Sequence, residues 1–256
     1  MQRQGVIRIL GDHESLSRSA TELIVEAARA DVDRAGRFTI ALAGGSTPRR
    51  TYEMLALHPA RDRMPWRDVH VFWSDERCVS PDDRRSNAGE ARRLLLDQVP
   101  IPGDQVHPIQ CAGDAGQAAS RYASVIGRFF EPDAPRLDLV LLGLGVDGHT
   151  ASLLPESAAA REKTCWTSTA RDASHDLPRV TLTAPLLNQA RRVVFLVSGP
   201  AKSTALAAAL DHLSPPETQP SRLIRPVRGE LIWLVDRAAA ALLPHHLRER
   251  SIAALP

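Results

Sequence analysis

Apolar residues are not spread evenly along the chain. Short runs rich in Val, Ile, Leu and Phe occupy residues 6–10, 38–43, 69–74, 137–142, 192–197 and 231–235. Each is too short for an amphipathic helix and is bounded by turn residues or charge, so each is predicted to be a strand. Between them, over residues 16–32, 48–57, 87–99, 115–130 and 201–213, apolar side chains recur at helical spacing. Strand followed by helix, repeated, predicts an α/β fold: a mainly parallel sheet covered by helices on both faces. Alanine-rich pieces over 205–209 and 238–241 read as closely packed helix faces. No repeat of fixed period is visible. The Pro-rich stretch 213–226 is the nearest thing to a linker, so residues 1–256 are expected to form a single domain.

Ligands of such sheets bind beyond the carboxyl ends of the strands, which directs attention to four loops. The first, ALAGGSTP, contains Gly44, Gly45, Ser46 and Thr47. Its glycines let backbone approach a ligand, and Thr47 before Pro48 is expected to cap a helix whose free N–H groups favour an anion. A phosphate cradle and a tight strand-to-helix connection both fit it. It is neither a Walker loop nor a dinucleotide fingerprint. The second, FWSDERC, ends a strand in charge. It is either a solvated loop or a site in which Asp75 accepts a proton or orients a hydroxyl while Arg77 clamps an anion.

In the third loop a fully apolar strand runs into GLGVDGHTASLLP, expected to switch there to a short helix. It puts Asp147 and His149 among glycines, and His149 is the candidate acid or base. The fourth, VSGPAKS, places Lys202 in a first helical turn, where a cation opposes the helix dipole unless an anion is bound. Arg179 and Arg222 are further candidate anion contacts.

Composition removes some classes of function. The chain has 256 residues, 43% hydrophobic and 24% charged, with 32 Lys and Arg against 30 Asp and Glu. A net charge of +2 gives no basic field for a nucleic-acid backbone. Charges interrupt every apolar stretch near the amino terminus, and no run of about 18 apolar residues occurs, so no membrane association and a cytoplasmic protein are expected. Three cysteines, Cys78, Cys111 and Cys165, are far apart, with no CxxC pair; a reducing compartment and no metal are expected. His13, His58, His70, His107, His175, His212, His245 and His246 show no ligand spacing and read as structural or surface residues.

Taken in order, ALAGGSTP, FWSDERCV with DDRRSN, LLGLGVDGHTASLLP, RVTLTAPLLNQAR and VSGPAKS resemble 6-phosphogluconolactonases of the glucosamine-6-phosphate isomerase/6-phosphogluconolactonase family over roughly residues 6–240. GxGxDGHTASLxP is the specific part. The resemblance implies a Rossmann-like sheet with a small α/β extension, shared with glucosamine-6-phosphate deaminase and ribose-5-phosphate isomerase. It implies hydrolysis of 6-phospho-D-glucono-1,5-lactone to 6-phosphogluconate, with no cofactor and a small sugar-phosphate lactone as the partner.

On these residues the expected mechanism is general-base hydrolysis. His149 activates water, Asp147 or Asp75 orients the imidazole or the sugar, and Arg77 or backbone N–H groups meet the carbonyl oxygen. Gly44, Gly45, Ser46, Thr47, Arg179, Lys202 and Arg222 hold the phosphate. Ser46 and Ser152 lack a GxSxG context, which argues against a covalent route. The related deaminases read DGHIAFNEP, with a glutamate five positions after the histidine; Leu154 stands there in this chain. A deaminase or isomerase, and a non-catalytic sugar-phosphate sensor, are the competing readings. A monomer or small homo-oligomer is expected.

Overall fold

The computed structural model describes residues 5–111, 113–172, 177–211, 215–245 and 247. His175, His212 and His246, and residues 212–213 of the last expected helix, lie outside them. The strands are β1 (Val6–Leu10), β2 (Phe38–Leu42), β3 (Val69–Trp73), β4 (Asp75–Arg77), β5 (Leu139–Gly143), β6 (Thr167–Asp172), β7 (Leu177–Leu182), β8 (Arg192–Val197) and β9 (Glu230–Asp236). The helices are α1 (His13–Ala35), α2 (Arg49–Leu55), α3 (Ala60–Arg63), α4 (Asn87–Leu94), α5 (Ala115–Phe130), α6 (Ala158–Arg161), α7 (Ala184–Leu187) and α8 (Ser203–Leu210).

Six strands pair in the order β1-β9-β8-β5-β2-β3, all parallel. Their continuous apolar runs follow from burial on both faces: every residue of β2 is buried, as are Leu139, Val140, Leu141 and Leu142. Phe195 and Trp233 stack across β8 and β9 with ring centroids 3.9 Å apart. α1 presents Leu16, Ala20, Ile24 and Ala28 to this core at helical spacing. Its start is fixed by Asp12, whose carboxylate accepts the Ser15 N–H at 2.7 Å. Each fully buried Leu or Ile contributes about 1.5–3 kcal/mol. Among the described residues no helix is long and apolar enough to cross a membrane.

The structure departs from the sequence expectations in several places, each with a physical cause. The chain also forms an antiparallel sheet of order β4-β7-β6, none of whose three strands is among the runs predicted from the apolar pattern. TSTARD and LPRVTL mix polar and apolar side chains because β7 is only half covered, buried from Val180 onward. The chain enters this sheet from β3 at Ser74, whose N–H donates to Leu42 O while its carbonyl accepts the Leu182 N–H, each at 2.8 Å.

Thr47 does not cap α2. The helix follows Pro48 with no side-chain cap, and Thr47 instead offers its carbonyl to His13 Nε2 at 2.9 Å. GLGVDGH does not run into a helix either; an irregular segment continues to α6. Lys202 ends a 3-10 turn, Pro200–Lys202, that precedes α8. Cys78 and Cys111 form a disulfide, with Cα atoms 4.9 Å apart, while Cys165 is free and exposed. This corrects the expectation of three separate thiols and removes its support for a reducing compartment. A parallel bridge between Val71 and Val106, with the His107 N–H on Val71 O at 2.8 Å, lays a distant segment along β3 and brings Cys111 to Cys78.

Candidate active site

Strand order reverses between β2 and β5: the chain goes outward from β2 to β3 on one side and from β5 to β8 on the other. A cleft of about 270 Å³ opens at this switch point, beyond the carboxyl ends of the strands. Gly44, Gly45, Ser46, Thr47, Asp75, Arg77, His149, Arg179 and Lys202 line it together. Asp147 stands against His149. Arg222 does not join them. It is buried in the 3-10 turn Pro220–Leu223, which is tied behind the DGH loop by the Ser221 N–H on Gly148 O at 3.0 Å. Arg222 is thus placed outside the cleft lining, unlike the other expected phosphate contacts.

His149 Nδ1 lies 2.6 Å from Asp147 Oδ1. The hydrogen bond from His149 pulls the Asp147 carboxyl below its ordinary value. Asp147 is thus an ionised acceptor, so the ring proton belongs on Nδ1 and the Nε2 lone pair is left to accept a proton. Asp147, not Asp75, orients the ring. The close turn needs glycine: a Cβ on Gly145 would overlap both the His149 ring and the Asp147 carboxylate.

Asp75 is buried and held from two sides. Ser152 Oγ donates to its Oδ2 at 2.6 Å, and Asn87 Nδ2 donates to its backbone oxygen at 2.8 Å. The other end of the Asn87 amide accepts from Arg77 Nη1, which also donates to Arg85 O at 2.9 Å. Asn87 therefore sets the positions of an acid and a base at once. Gly44 makes room for it, since a Cβ there would overlap the Asn87 amide.

Glu76 places Asn87 in turn. Its buried carboxylate accepts the backbone N–H groups of Arg77, Asn87 and Ala88, each at 2.7 Å. Burial pushes its pKa up despite these donors. Asn87, Ser152 in this role and Glu76 were missed from sequence. The only local signal was the Ser-Asn pair that opens α4, which also describes an ordinary helix cap.

The cations converge in a way that favours an anion. Arg77 and Arg179 are cross-strand partners in the β4–β7 ladder, and like charges directly opposite destabilise a sheet unless something compensates them. Arg77 Nε is buried without a hydrogen-bond partner. Lys202 faces the same cleft; burial lowers its pKa and Asp147 partly restores it. Gly44, Gly45, Ser46 and Thr47 line the same cleft. A small polar cleft with one oriented imidazole and three cations suits hydrolysis or proton transfer on a phosphorylated small molecule.

Comparison with known proteins agrees with this geometry. A family model described as glucosamine-6-phosphate isomerases/6-phosphogluconolactonase matches residues 11–233. A 6-phosphogluconolactonase of Synechocystis sp. is 45% identical over 208 residues, 80% of this chain and 84% of that protein. One from Mycobacterium tuberculosis is 37% identical over 93% of this chain and 98% of its own. The structure of 6-phosphogluconolactonase from Trypanosoma cruzi superimposes with a TM-score of 0.82 at 31% identity, covering 94% of this chain and 97% of that one. A monomeric glucosamine-6-phosphate deaminase shares the fold with a TM-score of 0.79 at 18% identity. With the match running through every loop of the cleft, the chain belongs to the glucosamine-6-phosphate isomerase/6-phosphogluconolactonase family.

Proposed function

We propose that the cleft hydrolyses 6-phospho-D-glucono-1,5-lactone to 6-phosphogluconate, the lactone-opening step of the oxidative pentose phosphate pathway. The observation that carries this reading is the His149–Asp147 pair at 2.6 Å, whose remaining ring nitrogen belongs to a cleft lined by Arg77, Arg179 and Lys202. His149 Nε2 takes a proton from water as the water oxygen attacks the lactone carbonyl. Asp147 stabilises the imidazolium that forms. Negative charge growing on the carbonyl oxygen is met by Arg77 or by backbone N–H groups, a contact of a type worth about 3–4 kcal/mol. When the ring C–O bond breaks, the imidazolium returns its proton to the leaving oxygen. Lys202, Arg179 and the Gly44–Thr47 loop hold the phosphate, while Asp75, fixed by Ser152 and Asn87, faces the sugar.

Leu154 stands where deaminases of this family carry the glutamate of their ring-opening relay. A lactone needs no such relay, because its carbonyl is already electrophilic. The protein is proposed to work as one domain, as a monomer or small homo-oligomer, in the cytoplasm. The Cys78–Cys111 disulfide is the observation that weighs against the compartment, and thiol titration of protein isolated under alkylating conditions reads it.

The test of the reaction is direct. Lactone generated by glucose-6-phosphate dehydrogenase is followed above its spontaneous decay, beside ammonia release from glucosamine-6-phosphate. Fast lactone loss without ammonia supports the reading; ammonia release, or binding of 6-phosphogluconate with no turnover of either compound, overturns it.

A further inference from the structure

The opposite end of the sheet carries a second concentration of positive charge that the proposed reaction does not use. A cavity of about 460 Å³ lies at the amino ends of β8 and β9 beside the end of α1. Five guanidiniums line it: Arg34, Arg136, Arg191, Arg192 and Arg228. Three of them have a complete structural account. Arg34 bridges the buried carboxylates of Asp31 and Asp138 at 3.0 and 2.9 Å, Arg191 reaches Asp138 at 3.2 Å, and Arg192 reaches Asp31 at 2.7 Å.

The other two do not. Arg136 donates only to the neutral carbonyls of Gln189 at 3.1 Å and Arg228 at 2.8 Å, and the Arg228 side chain has no hydrogen bond or ion pair among the described residues. Counting the largely exposed Glu230, 3.9 Å from Arg192, five positive groups face three negative ones. Burial and the neighbouring guanidiniums of Arg191, Arg228 and Arg34 press the Arg136 pKa down. Such crowding costs stability unless an anion relieves it.

We propose that this cavity is a binding site for a dianionic phosphate group, separate from the catalytic cleft, with Arg136 and Arg228 as its principal ligands. A surplus of two positive charges matches one phosphate dianion. Guanidinium forks around a hollow of this size suit its tetrahedral oxygens better than they suit chloride or a single carboxylate.

The test is calorimetric titration at fixed ionic strength with inorganic phosphate, using wild type, Lys202→Ala, Arg228→Gln and the double variant R136Q/R228Q. Lys202→Ala should keep one saturable phosphate site. Arg228→Gln, a change at an exposed position that leaves the fold intact, should weaken that site roughly tenfold. The double variant should lose it while kcat and KM for the lactone stay unchanged. Repeating the Lys202→Ala titration with glycerol phosphate identifies the source: tighter binding than inorganic phosphate marks a phosphorylated metabolite, and equal binding marks free phosphate. Loss of all saturable binding in Lys202→Ala, unchanged binding in R136Q/R228Q, or the same response to chloride at equal ionic strength overturns the proposal.

Discussion

Both ends of the six-stranded sheet gather arginines, but they treat the charge differently. At the amino ends, Asp31 and Asp138 sit buried among Arg34, Arg191 and Arg192, so most of the charge there is neutralised within the fold. Asp138 also accepts from Thr39 N and Thr39 Oγ1, at 2.9 and 2.7 Å, and so ties β2 to β5. At the carboxyl ends, Arg77 is held by an amide oxygen and a backbone carbonyl. Neutral acceptors fix its direction without cancelling its charge. A fold of nearly balanced composition can therefore make an anion site by choosing which cations meet carboxylates. The comparison separates residues whose loss should cost catalysis from residues whose loss should cost stability.

The largest effect should fall at the carboxyl end. His149→Ala removes the base and should lower kcat by roughly 10²–10⁴-fold with little change in unfolding midpoint. Asp147→Asn keeps the ring near its place but removes the charge that favours the imidazolium, so a smaller loss, roughly tenfold to a hundredfold, is expected. Steady-state kinetics beside urea denaturation read both. An equal rate for wild type and His149→Ala would remove the general-base role. At the amino end the outcome should invert. Asp138→Asn strips a buried carboxylate from two partly exposed arginines and should cost about 1.5–3 kcal/mol of stability, while KM and kcat at a temperature where the variant is folded stay as in wild type. A large loss of activity there would break the comparison.

The two ends also differed in how far the sequence disclosed them. Strands of the parallel sheet were legible because both faces are covered, which makes residues 38–42 apolar but for Thr39 and residues 193–197 an unbroken apolar run. Arg192–Val197 and Ala115–Phe130 have the bounds expected of them. The antiparallel sheet was not legible, since half-covered strands such as Leu177–Leu182 carry no run and no clean alternation. In the cleft, residues beside a glycine turn were readable from type and position. Asn87 was not, because its role depends on reaching two partners from a different element, at Asp75 and Arg77. Arg222 differs in the other direction: from its sequence it is a candidate anion contact, and only the packing of its turn behind Gly148 shows it buried outside the cleft lining.

Asn87 gives the next test in order of size. Asn87→Ala frees both Arg77 and Asp75 and should lower kcat/KM roughly tenfold to a hundredfold, the equivalent of one charge-assisted hydrogen bond. If the residue acts only as a spacer for α4, the variant would lose stability while kcat/KM of the folded fraction stayed constant, and the division between the two ends would need redrawing.

The smallest effect is in pH dependence, and its sign follows from burial. Lys202 is partly desolvated in the cleft, which favours its neutral form and sets its pKa below that of an ordinary lysine. The charged form binds phosphate and prevails below that pKa, so KM should be flat through neutral pH. It should then rise in a range lower than a solvent-exposed lysine would give, with kcat nearly constant, because a phosphate remote from the reacting carbonyl is bound about equally in ground and transition states. Lys202→Arg keeps its charge throughout this range and should abolish the rise, even if its different reach raises KM at every pH. A rise that persists in Lys202→Arg would move the titration to another group and leave Arg179 and the Gly44–Thr47 backbone as the phosphate contacts.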